Sequence, residues 1–83
     1  MSQIARSPRQ LGSLIQRARK QRGLTQTELA NLAGLRQEMV SKIETGHDST
    51  RLAALYSLFA ALNLDMLVDQ RSARQGKDIE DVF

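Results

Sequence analysis

Within six residues the chain sets out an amide, a carboxylate, a hydroxyl and an ammonium. These are Gln37, Glu38, Ser41 and Lys42, at i, i+1, i+4 and i+5, which on a helix is one shared face. Such a set donates and accepts hydrogen bonds at once and suits recognition of a polar partner. Catalytic chemistry has no comparable foothold. The sequence holds no paired carboxylates, metal-ligand cluster, glycine-rich phosphate loop or nucleophile elbow, and it has no cysteine. Its only histidine, His47, stands in a glycine-bounded loop without a second ligand or nucleophile. Neither an enzyme nor a cofactor is expected. Taken by themselves, the four polar residues also suit an ordinary solvated helix face, so the elements that carry them must decide.

Those elements form an all-α pattern of four helices. Ser7-Pro8 reads as N-cap and first helical residue, and Leu11, Leu14, Ile15 and Ala18 follow as one apolar stripe on a helix ending near Gly23. Thr25 and Glu28 have the spacing of a capping box, with Leu24 and Leu29 as a hydrophobic staple. Gly34 is placed to stop this second helix in a left-handed turn and lead at once into a third. The third helix is expected over about Gln37 to Thr45, with Gly46 after it and only Val40 and Ile43 inward. So thin a stripe leaves most of its surface outside the core. Thr50 is expected to cap a fourth helix with Leu52, Leu55, Phe59 and Leu62 inward and Leu58 widening the stripe.

In LDMLVD the period changes, and Leu64, Met66 and Val68 alternate as in a short strand. A lone strand leaves its backbone groups unpaired. The expected partner is the same strand of a second copy; the alternative is an extended tail packed on helix four. QRSARQGKD is polar and expected to be mobile, and IEDVF sets Ile79, Val82 and Phe83 at helical spacing. The organisation expected is a body over residues 1–63, a dimerisation strand over 64–69 and a tail over 70–83.

The 83 residues make one domain of a size at which a second subunit is a useful source of stability. No apolar stretch approaches the roughly 18 residues of a membrane span, and the start lacks an apolar leader core, so a cytoplasmic protein is expected. Net charge is +3, unevenly spread. Met1 to Asn63 has nine Lys and Arg against four Asp and Glu, whereas Leu64 to Phe83 has three against five. The basic part suits a polyanion such as nucleic acid, though it also suits plain solvation.

The run from Gly23 to Gly46, GLTQTELANLAGLRQEMVSKIETG, resembles the helix-turn-helix of the Cro/Xre repressor family without a gap. The resemblance implies a compact, lambda repressor-like four-helix fold. Its third helix would enter the DNA major groove and the start of its second helix would rest on phosphates. Farther along, STRLAALYSLFAALNL followed by DMLVD is similar to the HipB antitoxins, which neutralise HipA-type kinases. That similarity spans about Pro8 to Asp69. It implies a repressor that regulates its own operon and restrains a kinase toxin, as a homodimer on an inverted-repeat operator with half-sites roughly 34 Å apart. A stand-alone prophage-type repressor and a protein-binding adaptor are the alternatives.

On this resemblance Arg36, Gln37, Glu38, Ser41 and Lys42 read bases: Gln37 adenine, Arg36 guanine or a phosphate, Glu38 the cytosine amino group. Lys42 also suits a phosphate. Gln26 and Thr27, at the start of helix two, are phosphate donors helped by the helix dipole. Arg17, Lys20 and Arg51 are weaker phosphate candidates, for which solvation serves equally. Arg19 and Glu44 match a partly buried structural ion pair of the family. Ile79, Val82 and Phe83 are the candidate toxin anchor, and Leu64, Met66 and Val68 the dimerisation residues. His47 is either a loop residue near the DNA backbone or without a role. Three departures stand out: Arg36 takes an N-cap position better suited to Ser or Thr, Asp48 puts an acid in a loop that is often basic in the family, and the tail diverges too far for residues to be carried over, so that Ile79, Val82 and Phe83 rest on their apolar character in an acidic-leaning end.

Overall fold

Ser7 starts the first helix by accepting the Gln10 N–H on its hydroxyl at 3.1 Å, and Pro8 supplies the fixed φ of a first helical residue. The computed structural model describes residues 3–71. Among them are α1 (Pro8–Gln21), α2 (Gln26–Ala33), α3 (Gln37–Glu44) and α4 (Leu52–Ala61). At the start of α2 the capping box closes in both directions. Glu28 N–H donates to Thr25 Oγ1 at 3.0 Å, and Thr25 N–H to Glu28 Oε1 at 2.8 Å. Gly34 ends α2 at φ 71°, and Leu35 N–H returns to the Ala30 carbonyl at 2.9 Å. Only three residues separate α2 from α3, so the left-handed glycine sets the angle between them.

The core draws on every helix. Ile15 of α1, Leu29 of α2, Val40 of α3, Leu58 of α4 and Leu62 just beyond it are fully buried. Helix α3 packs on α1 and α2, and α4 packs on α2. The closest approach lies at Gly12, where an added Cβ would collide with the Ile43 carbonyl and lie 2.7 Å from that of Glu44. This missing side chain lets α1 cross directly over the end of α3.

Helix α4 departs from the expected register. Its N-cap is Arg51, and the Thr50 hydroxyl instead donates to the His47 carbonyl at 3.2 Å, closing the loop before the helix. Ala54, Leu58, Phe59 and Leu62 are buried, Leu55 is half-buried, and Leu52 is 59% exposed. The run LAALYSLFAA is apolar on nearly all sides, so periodicity alone does not choose the inward face.

Residues 64–71 continue without regular structure, and the described residues form no strand. A strand whose partner belongs to a second copy has no ladder to join within one chain. Leu64 packs against the core, while Met66, Leu67 and Val68 are exposed. Ile79, Val82 and Phe83 lie outside the described residues. No described helix is long and apolar enough to cross a membrane.

Candidate nucleic-acid interface

Val40 and Ile43 turn α3 inward, together with Glu44. Gln37, Glu38 and Lys42 are exposed as a result, and Ser41 is half-buried. Arg36 precedes them as the α3 N-cap without a side-chain capping bond, its side chain exposed. At the start of α2 the capping box satisfies the N–H groups of Thr25 and Glu28, and those of Gln26 and Thr27 lack an intrahelical acceptor. Two backbone donors and a helix dipole thus stand beside the exposed face of α3.

Behind this face is a buried ion pair. Arg19 Nε donates to Glu44 Oε2 at 2.6 Å and Nη2 to Oε1 at 3.1 Å, with the two side chains 9% and 1% exposed. A third donor, Arg19 Nη1, reaches the Leu24 carbonyl at 2.8 Å, just ahead of α2. One guanidinium therefore joins α1 to the end of α3 and to the entry of α2.

The pair continues outward through side chains. Gln26 Nε2 donates to Glu44 Oε1 at 3.0 Å, and Gln37 Nε2 donates to Gln26 Oε1 at 2.6 Å. Sequence reasoning assigned Gln26 to phosphate. The structure turns its amide toward Glu44 and Gln37. The link joins residues 11 and 18 positions apart, a separation that local patterns do not reveal. A glutamine as first residue of both α2 and α3 was its one visible sign.

The remaining cations are dispersed. Lys20, in the last turn of α1, and Arg51, before α4, are exposed. Arg17 lies roughly 200° around α1 from Arg19 and lines a groove with Leu64 and Val68, so it does not join the α2–α3 face. His47 is exposed, with its N–H on the Lys42 carbonyl at 3.0 Å. No group of three or more metal-ligating side chains occurs among the described residues.

Two short helices joined by a tight left-handed turn, the second polar and exposed, define a helix-turn-helix protein. Residues 15–68 match the helix-turn-helix family. Antitoxin HipB of Escherichia coli strain K12 is 37% identical over 68 residues, covering 81% of this chain and 77% of that protein. Among solved structures, a HipB variant in an O2 20mer complex has a TM-score of 0.80 at 32% identity, covering 87% of this chain and 100% of that one. A HipA-HipB-O2-O3 complex has a TM-score of 0.79 at 32% identity, covering 86% and 100%. The chain belongs to the HipB antitoxin family of helix-turn-helix proteins.

Proposed function

We propose that this chain is the antitoxin of a type II toxin–antitoxin system, a cytoplasmic DNA-binding homodimer that represses its own operon and neutralises a HipA-like kinase. The identity to HipB across most of both chains carries this reading. Solved neighbours that include a HipA-HipB-O2-O3 complex support both partners. The protein acts by binding and not by catalysis.

In this reading α3 lies in the major groove, where Arg36, Gln37, Glu38, Ser41 and Lys42 meet base edges. The backbone N–H groups of Gln26 and Thr27 hold a phosphate at the start of α2. Lys20 and Arg51 add long-range attraction to the DNA backbone. Residues 1–63 serve as the DNA-binding unit, 64–69 pair two copies through Leu64, Met66 and Val68, and 70–83 offer Ile79, Val82 and Phe83 to the toxin.

The test measures two activities on the full chain. Affinity for the DNA upstream of its own operon should exceed that for a scrambled duplex and fall steeply with salt, as phosphate neutralisation requires. The chain should also suppress the kinase activity of a HipA-type partner, and removing residues 76–83 should weaken that binding more than operator binding. Selective DNA binding without suppression would leave a stand-alone repressor, and suppression without DNA binding an adaptor.

A further inference from the structure

Helix α4 ends in a turn that glycine ordinarily makes, and the residue there is an asparagine. Asn63 stands at φ 58°, the one positive φ outside glycine among the described residues. Two backbone bonds close the turn: Asn63 N–H donates to the Ala60 carbonyl at 3.1 Å, and Leu64 N–H to that of Phe59 at 2.8 Å. Together they form a left-handed helix cap. The side chains on either side of it are held, since Leu62 is fully buried and Leu64 packs against the core. The chain therefore has no slack in which to correct its heading. The Asn63 side chain is exposed, and what singles the residue out is its backbone: asparagine is one of the few residues with a side chain that enter the left-handed region without a large penalty.

Before Asn63 lies the body that carries α3, and after it the segment assigned to pairing. Met66, Leu67 and Val68 are exposed beside a groove whose other wall is Leu11, Leu14 and Arg17 of α1. We propose that Asn63 is a positioning residue for the DNA-bound dimer: its left-handed backbone fixes the heading of residues 64–69 from the end of α4, and through that heading the separation and tilt of the two α3 helices. Two copies paired through these segments repeat the angle twice, so a small change at each Asn63 adds up at α3. Half-sites have to match one DNA turn apart, and a displacement of about 3.4 Å is already a whole base pair. A right-handed residue at position 63 redirects the segment and draws Leu64 out of its packing. The spacing that the dimer reads is thus set far from the surface that reads bases.

The inference rests on the proposed pairing and DNA binding, and one experiment separates their failures. The full chain, Asn63→Gly, Asn63→Val and the milder Asn63→Ala are titrated against duplexes that carry two half-sites from the DNA upstream of its own operon. Their spacing is varied one base pair at a time, a duplex with a single half-site is included, and sedimentation follows the dimer. Wild type should bind best at one spacing. Asn63→Gly, which enters the same φ freely, should keep that optimum. Asn63→Val, whose branched side chain disfavours the left-handed region, should lose about tenfold at the wild-type spacing, with the optimum shifted or flattened and single half-site affinity unchanged. Asn63→Ala should fall between the two. A wild-type optimum kept by both Asn63→Val and Asn63→Ala would overturn the positioning role alone. So would a loss equal on the single half-site and at every spacing, or a shift in Asn63→Gly as large as in Asn63→Val. A wild-type chain that is monomeric and indifferent to spacing would remove the pairing and this role together, and one that binds none of the duplexes would remove the DNA-binding reading as well.

Discussion

The two flanks of this small domain are finished to different degrees. On the α2–α3 side, polar groups close on one another from Arg19 to Gln37, and only the outermost edge is left for a partner. Around α4 and residues 66–68 the surface is apolar and open. Leu52, Tyr56, Leu67 and Val68 are 59%, 54%, 74% and 96% exposed. Between α1 and this segment runs a groove of about 650 Å³, lined by Leu11, Leu14, Phe59 and Met66 among others. The contrast shows a division of labour. The polar contacts of the α2–α3 side close within one chain, whereas the apolar flank suits the proposed pairing with a second copy.

Four substitutions test that division, in falling order of expected effect on stability or binding. Glu44→Ala strips the partner from a buried guanidinium and should cost about 3–5 kcal/mol, seen as a lower urea midpoint together with reduced operator affinity. An unchanged midpoint would mean that the α2–α3 side does not depend on the pair. Gly12→Ala forces α1 and α3 apart at two carbonyls and should cost about 1–3 kcal/mol, again by urea titration; stability equal to wild type would show that the crossing yields freely. Gln37→Ala should leave melting unaltered and weaken operator binding by about 1–3 kcal/mol, mostly at one base pair. A loss equal on all duplexes would reassign Gln37 to a phosphate. Val68→Lys should change the stability of the isolated chain by no more than about 0.5 kcal/mol. Sedimentation should nevertheless show dissociation at lower salt and higher concentration than wild type, and an unaffected dimer would remove residue 68 from the pairing surface.

The legibility of these two sides in the sequence follows the range of the interactions that shape them. Ser7-Pro8, Thr25 with Glu28, and Gly34 each act within a few residues, so the starts of α1 and α2 and the turn into α3 could be read directly. Val40 and Ile43 were similarly legible, because a helix with two inward residues has little choice of register. Arg36 was recognisable as a poor cap for the same local reason, and it makes no side-chain cap bond. Helix α4 resisted because alanine and leucine surround it. The neighbours already packed, Leu29 of α2 among them, select Ala54, Leu58 and Phe59 over Leu52. The Gln26 contacts were hidden by distance along the chain: only once α1, α2 and α3 meet does the Glu44 carboxylate stand beside it.

The grip of Arg19 on three helices also bears on how the molecule opens. A helix of eight residues such as α3 would ordinarily fray many times for each opening of the whole protein. Here its last residue is fastened by a bidentate contact to α1, and the same guanidinium fastens the approach to α2. Releasing the end of α3 takes the carboxylate from a buried guanidinium and leaves it only the Leu24 carbonyl, so local opening becomes nearly as costly as opening α1 to α3 together. Deuterium exchange at the inner amides of α3 should accordingly keep pace with that of α1, although α3 has 8 residues against 14.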